Sequence, residues 1–345
     1  MGISAALGSS ALLPAGLGFR NVLINGGFDV WQRTTSSEYT PSAGTVTYQA
    51  PDRWWSTQLS TTSTLIISQA TADTSFLRYG CKVQRKSGQT GTGAIYFGQT
   101  LESSMSKTFA GRTATVSFYA KKGANAPSTF SIGVYAGKGT DQSSGALFST
   151  GWTNGAYLLQ QTVTPTTTMT RYSYSFTVDS SYTQIGLWFY WTPSGTAGAD
   201  EWFQFEGVQL EANVQPTPFE QRPYGVELAL CQRYFYAPNE TDNNGYSHYG
   251  LGFAYSTTQA FFAINTPVQM RVPITSSRVS YSTLRVSDTV GAWAITAISV
   301  SDFTKNRNAI QVDATIGSAS LTAFRPALVQ GNNSTSAYFR FDAEL

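Results

Sequence analysis

Catalysis needs reactive side chains, and this sequence offers few. Its 345 residues contain one histidine, His248, and two cysteines, Cys81 and Cys231. A histidine-based triad would rest on His248 alone. A structural zinc site normally takes four Cys/His ligands. A glycosidase needs two carboxylates about 5–10 Å apart, one of them held protonated. Glu102, Asp141, Asp200, Glu201 and Glu206 have the right type, but no spacing pairs them. There is no Walker lysine motif, no Gly-x-Ser-x-Gly elbow and no His-Glu-x-x-His. Gly91-Thr92-Gly93 lacks the following helix that a phosphate loop uses. The chain therefore reads as a non-enzyme with no cofactor.

The side chains with a chemical use are the aromatics, 14% of the chain. Sugar rings stack on flat aromatic faces, and nearby hydroxyls and amides bond their OH groups. Tyr119, Tyr135, Trp152, Tyr157, Trp188 and Tyr190 are the candidates, because they alternate with core residues on strands or lie in or beside loops. The competing use of the same residues is burial in a subunit interface, where large aromatics carry much of the energy.

Charge is scarce. Asp, Glu, Lys and Arg make up 12% of the chain, about half the usual share. The net charge is +2 and the longest cationic cluster is Lys121-Lys122, which excludes a nucleic-acid groove. With so few charges, Arg33, Asp52, Arg53, Glu220 and Arg222 are expected to have partners, tying the first strand to the last and fixing the domain exit. Two cysteines make no disulfide framework and suit assembly in a reducing cytosol, although a Cys81–Cys231 bridge stays open. Residues 2–19 carry no charge, but Gly8, Pro14, Gly16 and Gly18 interrupt them and no basic residue precedes them. They read as a flexible docking arm, not a signal peptide or membrane span.

The elements that must position these residues are strands. Ala114-Val116-Phe118-Ala120 alternates with Thr113-Thr115-Ser117-Tyr119, and similar alternation runs through 130–136, 172–178 and 185–191. Gly-, Ser- and Pro-rich turns separate them. Thr, Val and aromatics with such punctuation give an all-β chain, a sandwich of jelly-roll type. Prolines at 216, 218 and 223 mark a boundary. A short helix covering Leu228, Leu230, Cys231 and Tyr234 follows, and then a second β-rich domain. Strands there are expected at 261–264, 270–274, 279–281 and 338–341. The domains read as 1–20, 21–222 and 223–345.

The motifs bracketing the first domain carry a resemblance. They are Asn21-Val22-Leu23-Ile24-Asn25-Gly26-Gly27-Phe28-Asp29, Pro51-Asp52-Arg53-Trp54-Trp55, Glu206-Gly207-Val208-Gln209-Leu210-Glu211 and Thr217-Pro218-Phe219-Glu220-Gln221-Arg222-Pro223-Tyr224-Gly225. With the lead-in around Leu13-Pro14 and the terminal Asp342-Ala343-Glu344-Leu345, the chain resembles tailed-phage and prophage fibre or appendage proteins over residues 11–236. The resemblance implies a virion protein assembled in the host cytoplasm and a homotrimer. Residues 1–20 would dock on other virion proteins through Leu12, Leu13, Pro14, Leu17 and Phe19. The brackets are also similar to a distant carbohydrate-binding jelly-roll, which implies binding of host surface polysaccharide. In such modules a calcium ion often joins the opening and closing strands, so Asp29 and Glu206 are its candidate ligands here. Gly207 stands where a second acid is usual. The rival readings are a free carbohydrate-binding module and a polysaccharide-cleaving spike.

Overall fold

The computed structural model describes residues 19–238, 244–301 and 307–345. Leu12, Leu13, Pro14 and Leu17 lie outside the described residues; Phe19 is within them, its ring 4.8 Å from the Arg222 guanidinium.

The first part of the chain is a sandwich of two antiparallel sheets. One sheet has the order β1 (Ser36–Tyr39), β3 (Leu65–Thr71), β4 (Tyr79–Arg85), β11 (Trp202–Glu211), β6 (Thr113–Lys122) and β9 (Thr170–Thr177). The other has the order β2 (Trp55–Gln58), β5 (Ile95–Thr100), β10 (Gln184–Trp191), β7 (Phe130–Gly137) and β8 (Ala156–Val163). The chain crosses repeatedly between the sheets, as a jelly roll does. Alternation aims one side of each strand inward. Phe118, Phe130, Phe189, Phe203 and Phe205 meet there, with Phe189 and Phe205 stacked at 4.1 Å. Cys81 is in this core, whereas Cys231 belongs to a separate small cluster with Ile24, Val30 and Tyr234. Both thiols are free, and burial pushes both up.

The opening motif does not form a strand. Residues 21–33 make turns, because asparagine side chains replace ladder partners. The Asn21 carboxamide accepts from Leu23 N and Leu210 N and donates to the Val208 carbonyl. The Asn25 carboxamide bonds both backbone groups of Val30 and the Asp52 carbonyl. Gly207 sits at a bulge in β11, at a φ of +52°. A side chain there would be strained, which explains glycine in place of an acid.

The helix α1 (Tyr224–Gln232) links to the second part. It ends before Tyr234, which the sequence reading had included. A closed six-stranded barrel follows, in the order β13 (His248–Ala254), β14 (Gln259–Asn265), β18 (Ala309–Ile316), β17 (Ala292–Val300), β16 (Leu284–Ser287) and β19 (Pro326–Gly331). Beside it β12 (Phe235–Tyr236), β20 (Tyr338–Asp342) and β15 (Val279–Ser282) form a small sheet. The strand expected at 270–274 is absent: Met270 and Ile274 are buried, but the segment pairs with no ladder. Its alternation reports burial on one side, which an irregular segment packed against the core satisfies equally well.

Candidate functional site

The outer face of the five-stranded sheet is an aromatic platform. In register, Tyr190 lies between Tyr96 and Ser131, and Trp188 between Gly98 and Gly133. Tyr135 pairs with Tyr157 across the next edge. Tyr96 and Tyr190 stack nearly parallel, 5.2 Å apart at 10°. Trp188 touches Trp55, Tyr135 and Tyr157 at 6.2, 5.9 and 5.8 Å.

Glycines give the platform its floor. A Cβ on Gly98 would lie 2.6 Å from the Trp188 Cβ, and one on Gly133 would lie 2.8 Å from its Nε1. Only bare backbone on both neighbouring strands lets the indole settle against the sheet. The segment 138–155 folds over one side, bringing the Phe148 ring within 4.9 Å of Tyr96 and 5.6 Å of Trp55. Trp152, on the same segment, is buried behind Tyr135 with its Nε1 donating to the Ser143 carbonyl.

Two buried polar atoms on this face have no hydrogen-bond partner among the described residues: Trp188 Nε1 and Thr57 Oγ1. Burial pushes the Tyr157 phenol up to about 12, helped by nearby Tyr96, Tyr190 and Tyr135. Tyr96 is raised for the same reasons, burial first and Tyr190 second. These phenols stay neutral at physiological pH. The five strands themselves contain no Asp, Glu, Lys, Arg or His.

Four of the six candidate aromatics, Tyr135, Tyr157, Trp188 and Tyr190, thus share one face. Trp152 supports it from behind. Tyr119 does not belong: it lies on the opposite sheet, against Phe76 at 5.7 Å and the Arg171 guanidinium at 5.8 Å. Sequence reading missed Tyr96 and Phe148. Tyr96 alternates with buried Ile95 and Phe97, a signal short enough to overlook. Trp55 is fully buried beneath the platform, against Phe148 and Trp188.

The five charged candidates separate into two clusters. Arg33 lies 3.5 Å from Asp52 and 3.3 Å from both Asp342 and Glu344, with its guanidinium 3.7 Å over the Phe235 ring. Arg53 is fully buried, pairs with Glu344, donates to the Thr100 carbonyl at 2.8 Å and lies 3.5 Å over the Tyr234 ring. This cluster fastens the 342–345 segment of the second part into the sandwich. Next to it Arg233 and the Tyr234 hydroxyl both bond Glu102, whose carboxyl is held low by them against the effect of burial. The second cluster is at the domain entry. Glu220 accepts from Arg20 N and Asn21 N, while Arg222 pairs with Glu227 at 3.1 Å and donates to the Leu23 carbonyl.

Glu206 caps a turn. Its carboxylate accepts from Asp73 N, Thr74 N, Thr74 Oγ1 and Gln204 Nε2. Asp29 is half-buried; burial and the neighbouring Glu227 raise its carboxyl, against Arg78. Among the described residues no group of three or more His, Cys, Asp or Glu side chains is placed to hold a metal ion, so Asp29 and Glu206 have no third such ligand.

No protein-family model and no curated protein matches the sequence. Among solved structures, a module described as "CBM4 structure and function" aligns at 15% identity, over 55% of this chain and 98% of its own, with a TM-score of 0.32. The enzymatically active domain of bacteriophage CBA120 tailspike protein 4 aligns at 13% identity, over 56% of this chain and 22% of its own, with a TM-score of 0.31. TmCBM61, solved with beta-1,4-galactotriose, aligns at 10% identity, over 56% of this chain and all of its own, with a TM-score of 0.32. These superpositions are loose, and the all-β assignment rests on the sheets described above.

Proposed function

We propose that the outer face of the five-stranded sheet binds an uncharged polysaccharide strand. In this reading the chain is a non-enzymatic attachment subunit of a phage appendage, with residues 1–20 held on the particle. The observation that carries the binding role is the platform itself. Tyr96, Tyr135, Tyr157, Trp188 and Tyr190 converge over a glycine floor on five strands that bear no charge. Flat rings cover the apolar faces of sugars. Phenol hydroxyls, Ser131 and Gln160 offer donors and acceptors to sugar hydroxyls. A neutral face pays no desolvation penalty for unpaired charge and gives an acidic glycan nothing to pair with. A single such site is weak, and several copies on one particle multiply it by avidity.

The test is affinity electrophoresis in gels containing neutral polysaccharide (galactan, xylan or β-glucan) or a polyuronate. Retardation by a neutral polymer, abolished in Tyr157→Ala and Tyr190→Ala, is the expected result. Retardation by the polyuronate alone, or retardation that both variants keep, overturns the reading. Release of reducing ends from the bound polymer would move the chain to the cleaving-spike class. The appendage role is tested separately: deleting residues 1–20 should abolish incorporation into particles while leaving gel retardation intact.

A further inference from the structure

A cleft of about 370 Å³ lies where the two parts of the chain meet. One wall is the outer face of the three-stranded sheet. On β20, Tyr338, Arg340 and Asp342 alternate with buried Phe339 and Phe341, so they share that face. Ser280 of β15 stands opposite Arg340 in register. The facing wall belongs to the sandwich part, where Tyr48 and Gln49 lie beside Arg33. The size is at the low end of small-molecule sites, about 300–1,000 Å³, which suits one ring and not a chain. Arg340 is held by its Nη2 donating to the Arg33 carbonyl at 3.3 Å and by the Tyr338 ring 4.1 Å from its guanidinium. Asp342 Oδ2 accepts from Arg33 at 3.3 Å, and its Oδ1 accepts from Glu344 N at 2.9 Å. A carboxylate has about four lone-pair sites, and this one stays 45% exposed. Ser37 Oγ donates to the Gln49 oxygen at 3.4 Å, but among the described residues neither Gln49 Nε2 nor the Ser280 hydroxyl has a partner.

We infer that this cleft binds a single neutral sugar ring, as a free monosaccharide or as the end of a glycan. The charges argue against an anion. Arg33 is matched by Glu344 at 3.3 Å and Asp52 at 3.5 Å, and Arg340 shares its face with Asp342 two residues along. Arg271 and Arg278 turn to backbone carbonyls of residues 342–344 and do not line the cleft. An acid entering it would therefore meet the exposed Asp342 carboxylate without a surplus lining cation. A polyol has use for both signs. One ring hydroxyl accepts from the Arg340 guanidinium, its neighbour donates to Asp342, and Gln49 and Ser280 offer a further amide and hydroxyl. Hydrogen bonds to charged groups are the stronger kind, so a small pocket can hold a ring without a stacked aromatic face. This site goes beyond the platform reading. The platform is uncharged and open along a sheet, whereas the cleft is charged on both sides and closed to the size of one residue, so each stands or falls separately.

The test is saturation-transfer NMR on the full chain with glucose, galactose, mannose, rhamnose, N-acetylglucosamine and glucuronate, each at about 10 mM. At least one neutral sugar should receive saturation at its ring protons. Ser280→Tyr, at an exposed strand position, should fill the cleft and abolish that signal with an unchanged thermal unfolding curve. Arg340→Leu should weaken binding by about tenfold or more, and it serves alone should the tyrosine variant fail to fold. Tyr157→Ala and Tyr190→Ala, the variants that test the platform, should leave the signal intact. The methyl glycoside of the bound sugar separates the two sources: equal binding means a glycan end, lost binding a free sugar, and either supports the site. No transfer to any neutral sugar, transfer to glucuronate alone, a signal that survives both cleft variants, or a signal lost in folded Tyr190→Ala overturns the inference.

Discussion

Neutralising Glu344 should unfasten the two parts of the chain at a cost large enough to measure. In Glu344→Gln the shape of the side chain is kept and its charge removed. Arg53 has no exposure to water and, among the described residues, has Glu344 as its one carboxylate partner. What remains for it is the Thr100 carbonyl at 2.8 Å and the face of Tyr234 at 3.5 Å. Breaking a buried pair from one side costs about 3–5 kcal/mol, because the other charge stays buried. The glutamine oxygen can still accept one N–H, which returns about 1 kcal/mol. Arg33 adds little to the loss, since Asp52 and Asp342 stay within 3.5 Å of it. The expected destabilisation is therefore about 2–4 kcal/mol. Urea unfolding followed by tryptophan fluorescence reads it. The control is Glu38→Gln, which breaks the exposed pair with Lys86 and should leave the curve within experimental error. A Glu344→Gln midpoint indistinguishable from the Glu38→Gln midpoint would refute the view that a desolvated Arg53–Glu344 pair holds the junction.

Gly133→Ala should destabilise the sandwich by roughly 1–3 kcal/mol, because the new Cβ meets the Trp188 Nε1 at 2.8 Å in a ring cluster with no slack. It should also lower retention by neutral polysaccharide in affinity gels, since the displaced indole tilts the platform; unchanged retention would separate the glycine floor from binding. The pH dependence of stability should carry a signature of Asp52, whose carboxyl burial raises to about 6 despite Arg33. The folded protein then holds a proton that the unfolded chain has released, so this group's stabilisation is complete below about pH 4 and is lost as pH rises through about 6. Asp52→Asn should remove that slope between pH 4 and 6 when unfolding free energies of the two proteins are compared. A parallel pair of curves would show that Asp52 titrates normally.

Much of the architecture is legible locally. Alternation with a period of two in 113–120, 130–136, 172–178 and 185–191 gave strands in each case, because a half-buried sheet sorts side chains by face. The same rule put Tyr135, Trp188 and Tyr190 on the side opposite Val134, Leu187 and Phe189. It failed at 270–274, where alternate burial arises without a ladder. The opening strand that the resemblance implies around Phe28-Asp29 is absent as well, because asparagine side chains take the place of strand partners. Tyr119 shows the other limit. Alternation says that it points outward, but not which of the two sheets carries it.

What the sequence by itself determined was the class: an all-β chain, poor in charge and rich in aromatics. These follow from composition and short-range pattern, which act residue by residue. Only the tertiary structure decided which outward residues meet. Tyr96 and Tyr190 stack because β5 and β10 pair in one register, and a slip of one residue would bury the tyrosines and expose Phe97 and Phe189. Trp188 lies flat because glycines from two different neighbouring strands fall on either side of it. Arg53 finds its carboxylate 291 residues away in sequence. Loop closure costs grow only slowly with separation, so such partners can come from anywhere in the chain, and no local pattern announces them.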